Sequence, residues 1–431
     1  MTFTPAPKND FPEFIETYFR RCRERVPQIE ASAGKWTLED LIPGLSDFDT
    51  RFLVNDATTA KDWCRMSMEV GRVHLELAQE RKDWARNLEH LPGVNLRWNE
   101  LFDEQLYFTE FAQWSFHHGD TKHVEAARRY VAGHAWTPTD ELYHWKKIAI
   151  YYGPYNRTID PPVNLGTYEN KYSLHSRLMH YMAPPVHSAV CLMERKTAPG
   201  KLDAFRKARD LFPNPGTIDR ILSLVDRHYE EPKYLTEPGM SELDRELDKY
   251  LTGMVNVLLE RGSLPCPRNA TVPQLNAAVK SASGDVSFAQ LFENIKFSRL
   301  MKGRLWFYAH DLLWFDSLFL IRNELNRIRQ SFYETPLRLF AKFAYNKDAS
   351  DEEALQMMTG DVFDREQAEA CRRFAAVSQP GCPDAELKKR ALEIEATFDP
   401  FLCAMEQLLE CAKKRLLKGA KVSYLKEGTQ I

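Results

Sequence analysis

The chain has 431 residues, 44% of them hydrophobic and 28% charged, with a formal net charge of −3. That length allows two or three domains with a full core, and the charge balance excludes a chain organised globally around nucleic acid. Eight scattered cysteines without zinc-type spacing predict free thiols in a reducing cytosol; the first ten residues lack the basic-then-apolar layout of a secretory signal, so a cytoplasmic location is expected.

Taken in order, Phe11, Phe14, Ile15, Tyr18, Phe19, Cys22 and Val26 recur at helical spacing, which predicts an amphipathic first helix ended by Pro27. Ile29 to Ser32 then reads as a short strand and Trp36 to Ile42 as a loop. After the Pro43-Gly44 turn comes Ser46-Asp47-Phe48-Asp49, opening an apolar run through Phe52, Leu53 and Val54 that reads as β. Side chains alternate across a strand, so two acids at this spacing would share a face and reach one ion. Hard oxygen donors of this kind suit Mg²⁺ and phosphate chemistry. The same residues also suit turn formation on a solvated edge, where Asp bonds its own backbone.

Ser46-Asp47-Phe48-Asp49 resembles the signature of the nucleotidyltransferase superfamily, which includes DNA polymerase beta and the aminoglycoside nucleotidyltransferases. In that pattern a strand ends in Gly-Ser, a variable loop follows, and Ser-Asp-x-Asp opens a second strand. Ala31-Ser32 is the nearest counterpart of the Gly-Ser half. The resemblance implies that Asp47 and Asp49 hold metal, and that Ser32, Gly44 and Ser46 lie at the nucleotide.

Beyond Val54, Asn55 to Thr59 reads as a loop ending in a helix cap, and Trp63, Val70, Val73, His74, Leu77 and Ala78 form one face of the following helix. Val94, Leu96 and Trp98 alternate with Asn95, Arg97 and Asn99, predicting a half-buried strand. The resembled family carries a third carboxylate on a later strand of the same sheet. Glu100, in phase with the apolar set, is its first candidate and Asp103 its second, against the reading of an ordinary acid at a strand end. His117, His118, His123, His134, His144, His175 and His180 crowd the next stretch. Their spacings match no helical His pair with a carboxylate partner, and no cysteine completes a zinc set, so solvated or capping roles are expected. The loop Asp160 to Gly166 is a candidate substrate lid. At Gly200-Lys201 a helix begins, a place suited to an anion; by the resemblance Lys201 meets the nucleotide phosphates, the alternative being an exposed lysine at a turn. Leu305 to Ile321 has the look of a membrane span, but His310, Asp311 and Asp316 interrupt it and predict a core helix instead.

The expected fold class is α+β, with a small mixed β-sheet nucleotidyltransferase-like domain over 1–125, a helical and loop region closing the nucleotide site over 126–240, and an all-helical domain over 241–431. The resemblance implies a Mg²⁺-dependent enzyme moving a nucleoside monophosphate from a nucleoside triphosphate to an acceptor hydroxyl, with release of pyrophosphate. Asp47, Asp49 and Glu100 would be its catalytic and metal residues. The acceptor is a small molecule or a protein; neither nucleic acid nor membrane is indicated. Two rival expectations are a catalytically degenerate member serving as a helical binding or scaffold protein, and an unrelated helical enzyme using the histidines with a transition metal.

Overall fold

The structure, a computed structural model, describes residues 10–42, 46–88, 90–103, 109–155, 177, 183–230, 237–283, 289–310 and 317–417. Gly44, His175, His180, the loop 160–166, Asp311 and Asp316 lie outside the described residues.

Helix α1 (Phe11–Arg25) forms where the periodicity places it, with Pro12 in its first turn and Phe11, Phe14, Ile15, Tyr18, Phe19 and Cys22 buried on one face. Each of the four aromatic rings among them contributes about 2 kcal/mol by leaving water. The chain then builds a four-stranded mixed sheet in the order β3-β2-β1-β4. Strand β1 (Ile29–Lys35) pairs antiparallel with β2 (Thr50–Val54) on one side and with β4 (Trp114–Gly119) on the other. Between β2 and β4 come α2 (Ala60–Glu80), opened by a Thr59–Asp62 capping box, the short β3 (Leu96–Arg97), which runs parallel to β2, and α3 (Trp98–Leu101). The strand expected from Val94 to Trp98 is thus two residues long. Glu100 stops it, because its carboxylate accepts the Arg97 N–H at 2.8 Å and starts a helical turn.

Both faces of the sheet are covered. Ile29, Phe52 and Val54 face α1 and α2 in the largest core, while Ala31, Ala33, Leu53 and Phe116 pack with Val124 and Ala127 of α4 (Thr121–Gly133). Burial on both sides is why β2 reads as a continuous apolar run.

The rest is helical, so the architecture is α+β as expected. Helices α5 (Pro138–Tyr151), α6 (Ala183–Glu194), α7 (Lys201–Leu211), α8 (Pro215–Glu230), α9 (Glu237–Glu260) and α10 (Val272–Ser283) gather around a second core of Trp145, Val186, Val190, Leu247, Tyr250 and Met254. Helices α11 (Ala289–Ser298), α12 (Met301–His310), α13 (Ser317–Arg329), α14 (Thr335–Tyr345), α15 (Asp351–Met358), α16 (Arg365–Val377) and α17 (Leu387–Leu416) return to the first core, where Leu305, Phe340 and Phe401 join the same cluster as Phe14 and Trp63. Among the described residues no helix is long and apolar enough to cross a membrane.

Helices α2 and α12 cross almost backbone to backbone. A Cβ on Gly303 would lie 1.8 Å from the Ser67 carbonyl oxygen, and the Gly303 N–H donates to Ser67 Oγ at 2.7 Å. Gly303→Ala is therefore expected to lower stability by at least about 3 kcal/mol through overpacking, read as a fall in urea midpoint without loss of slope.

Candidate functional site

The end of β1, the turn into β2 and the helices of the second core enclose a cavity of about 310 Å³. Asp47 and Asp49 line it, with Ser46, Asp40, Lys35, Trp36, His90, Lys147, His187 and Lys201. Both acids of the motif, its serine and the distant lysine of α7 therefore share one space, although 152 residues separate Asp49 from Lys201.

Asp47, Phe48 and Asp49 precede β2 rather than lying within it. They are held by the backbone: Lys35 N–H donates to Asp49 O at 2.8 Å and Phe48 N–H to Asn87 O at 2.9 Å. Phe48, between the acids, is buried among Phe14 and Phe19 and presses against Gly34, where a Cβ would sit 2.5 Å from its ring. Gly34 is needed so that this aromatic anchor can fix the acids. Ser46 Oγ accepts the Ile42 N–H at 2.9 Å and lies 3.4 Å from Asp40 O, so its hydroxyl also serves the turn.

Charge in the cavity is mixed and dense. The Asp49 side chain is 40% exposed, lies 3.7 Å from the Arg51 guanidinium, and lines the cavity. Burial raises its pKa, but Arg51 and then Lys35 outweigh that and hold the carboxyl below its ordinary range. His90 Nε2 lies 3.9 Å from Asp47 Oδ2. Burial pushes Lys201 below its usual value against the pull of Asp40, Asp47 and Asp49, and Lys147 is lowered first by burial and then by Lys35. Trp36 stands between the lysines in the left-handed region at φ 73°, an uncommon conformation for a bulky residue. Lys35 and Lys201 Nζ sit 5.6 and 5.5 Å from its ring, within cation–π range.

Three expected residues are placed differently. Ser32 lies in the middle of β1, fully buried, and does not line the cavity; its Oγ has no hydrogen-bond partner. The strand runs on to Gly34-Lys35, so these residues, not Ala31-Ser32, stand at its end, beside the acids. Glu100 is remote from the cavity. It forms a two-pronged pair with Arg299 at 2.6 and 2.9 Å, and Lys413 at 3.1 Å and Arg97 at 3.5 Å add two further cations. With Asp103 it borders a separate surface depression. Asp40 shares the cavity wall with the Asp pair, and Glu110 acts electrostatically on Asp49 while accepting from Arg51 at 2.9 Å and Lys35 at 3.2 Å. Burial raises it, but Lys35 and Arg51 drive its pKa far below the usual range, so it orders the lysine and does not take up protons near neutral pH.

The start of α7 is also not open to an anion as expected. Asp40 occupies it: Leu202 N–H donates to Asp40 Oδ1 at 2.8 Å, and a Cβ on Gly200 would meet Asp40 Oδ2 at 2.6 Å. The glycine makes room for a protein carboxylate, and only the Lys201 side chain is left to serve the cavity. Lys35, Trp36, Asp40, Lys147 and Glu110 escaped the sequence reading. The signal for the first two was the Gly34-Lys35-Trp36 run after an apolar strand. Of the described histidines in that stretch, His144 departs from the solvated reading, being wholly buried, while His117, His118, His123 and His134 are partly exposed.

No family model matches the chain, and neither does any curated protein or solved structure.

Proposed function

We propose that the chain is a Mg²⁺-dependent nucleotidyltransferase that binds a nucleoside triphosphate in this cavity and passes its nucleoside monophosphate to an acceptor hydroxyl. The observation that carries the reading is that Asp47 and Asp49 share one cavity with Lys35, Lys147 and Lys201. Two hard oxygen donors beside three cations are the donor set that a metal-bound triphosphate requires. Asp49, held below the ordinary carboxylate range, is ionised at neutral pH, the form that ligates. When bound, Mg²⁺ supplies charge stabilisation at the entering and leaving oxygens.

The chain's own part is positioning. Lys201 and Lys35, both against the Trp36 ring, hold phosphate oxygens, and Lys147 lines the same cavity. The acceptor hydroxyl attacks the α-phosphorus and gives up its proton to solvent water, the bond to the bridging oxygen breaks, and pyrophosphate leaves with the electron pair. Eight free thiols support a reducing, cytoplasmic setting.

A second reading, a nucleotide-binding member of the same class that does not turn over, is favoured by one observation. Glu110, the acid beside the pair, is already engaged by Lys35 and Arg51. Pyrophosphate release separates the two. The enzyme reading expects Mg²⁺-dependent release from one of the four ribonucleoside triphosphates, slow with water and faster with the right hydroxyl. Tight metal-dependent binding with no release for any nucleotide or acceptor supports the second reading.

A further inference from the structure

At the back of the cavity, where His187 and Ser188 form its wall, α5 and α6 bring His144, His187 and Cys191 together. One ligand atom from each lies within 4.8 Å of the others, and all three residues are buried. His187 and Cys191 are four apart on one helix face, and His144 faces them from the neighbouring helix. Among the described residues this is the only such group of three.

The contacts around the cluster leave the inward atoms available. His187 Nε2 lies 2.9 Å from Ala198 O; a carbonyl only accepts, so Nε2 carries the proton and Nδ1 the lone pair. Cys191 Sγ lies 3.8 Å from that Nδ1 and 3.9 Å from Nε2. The same Ala198 donates its N–H to Cys191 Sγ at 3.3 Å, a contact that favours a thiolate. His144 Nδ1 is taken by Ser188 Oγ at 3.1 Å, while His144 Nε2 is buried with no hydrogen-bond partner. Each ring is thus oriented through its outer nitrogen by a serine or a carbonyl, the second set of contacts that metal-bound histidines characteristically have. Burial lowers both imidazoles, His187 to about 4, and pushes the Cys191 thiol up to about 12 against the Ala198 contact, so the empty site holds two neutral rings and a thiol.

We propose that His144 Nε2, His187 Nδ1 and Cys191 Sγ bind a zinc ion. Zinc–nitrogen and zinc–sulfur bonds of about 2.1 and 2.3 Å at the tetrahedral angle put nitrogen and sulfur about 3.6 Å apart, close to the 3.8 Å found. Imidazole and thiolate are donors that Mg²⁺ does not choose, so the site is chemically distinct from Asp47 and Asp49. Cys191 gives up its thiol proton on binding. One charge remains on the ion; at His187 the field of Asp40 favours it, and those of Lys35 and Lys201 oppose it. Three protein ligands leave the fourth position to water or to a molecule in the cavity.

Cobalt(II) is the probe. The metal-free full chain is expected to take up one equivalent with a thiolate-to-cobalt charge-transfer band and intense visible bands of a tetrahedral ion, both erased by one equivalent of zinc. Cys191→Ser should lose the charge-transfer band, and His144→Gln should weaken cobalt binding by at least roughly 100-fold. His144→Gln also serves if Cys191→Ser does not fold, since it keeps the thiolate. A folded wild type that develops no charge-transfer band, a band that survives Cys191→Ser, or unchanged affinity in His144→Gln overturns the proposal. Mg²⁺ and nucleotide give no such band, so failure here is distinct from failure of the nucleotidyltransferase reading.

Discussion

Replacing Asp47 and Asp49 together by Asn is expected to cut nucleotidyl transfer by at least roughly a thousandfold, equivalent to about 4 kcal/mol of transition-state stabilisation, while the chain stays folded. Asn keeps the size of the side chain and one oxygen but removes the charge that draws a divalent ion. The fold should tolerate the change, because Phe48 and the backbone bonds to Lys35 and Asn87 hold the turn, not the carboxylates. A small stability cost is nonetheless expected from Asp49. Its pKa is lowered in the fold, so its contribution is present above the unfolded value of about 3.9 and is lost as pH falls through the folded one. Pyrophosphate release by wild type and variant, with melting followed in parallel, checks both halves. Equal rates would remove the acids from the chemistry.

Arg299→Ala is expected to destabilise the protein by about 3–5 kcal/mol without touching the cavity. Arg299 is fully buried and bonds Glu100 with both terminal nitrogens, Glu406 through Nε at 2.7 Å, and Asn95 O at 2.9 Å. Its guanidinium also lies 4.7 Å from the Trp63 ring. Taking it away leaves two buried carboxylates facing each other, with Arg97 and Lys413 at the margin. Burial raises the pKa of Glu100 and Glu406, but Arg299 outweighs it and holds both below the ordinary range. Their contribution is therefore complete above about pH 4.3, the unfolded value, and disappears as pH falls through the depressed ones. The gap between wild type and variant in urea midpoint should be widest near neutrality and narrow in acid. A loss below about 1 kcal/mol at neutral pH would mean that the network is solvated.

The elements governed by local periodicity were legible in the sequence: α1 from its aromatic stripe, α2 from Trp63 to Ala78, and β2 from its apolar run. Asp47, Asp49 and Lys201 could be proposed from short motifs because each sits where a turn enters a strand or a helix. What stayed hidden depends on contacts between distant segments. Glu100 carries the alternation of a strand, yet Arg299, 199 residues away, binds it in an ion network. Asp40 looked like an ordinary loop acid until α7 came to rest on it. Ser32 drew attention as the serine nearest to a Gly-Ser pattern, whereas the strand length that decides which residues reach the cavity depends on Phe48 packing over Gly34. His144 and Cys191 are 47 residues apart and meet only because α5 and α6 pack side by side.

The most direct test of the central claim is to titrate Mn²⁺ into the protein with a non-hydrolysable nucleoside triphosphate analogue and follow the free ion by electron paramagnetic resonance. The account predicts that wild type takes Mn²⁺ out of solution only when the nucleotide is present, and that the Asp47→Asn, Asp49→Asn variant does so no better than nucleotide alone. Wild type and variant retaining the same amount of Mn²⁺ with every nucleotide would contradict it.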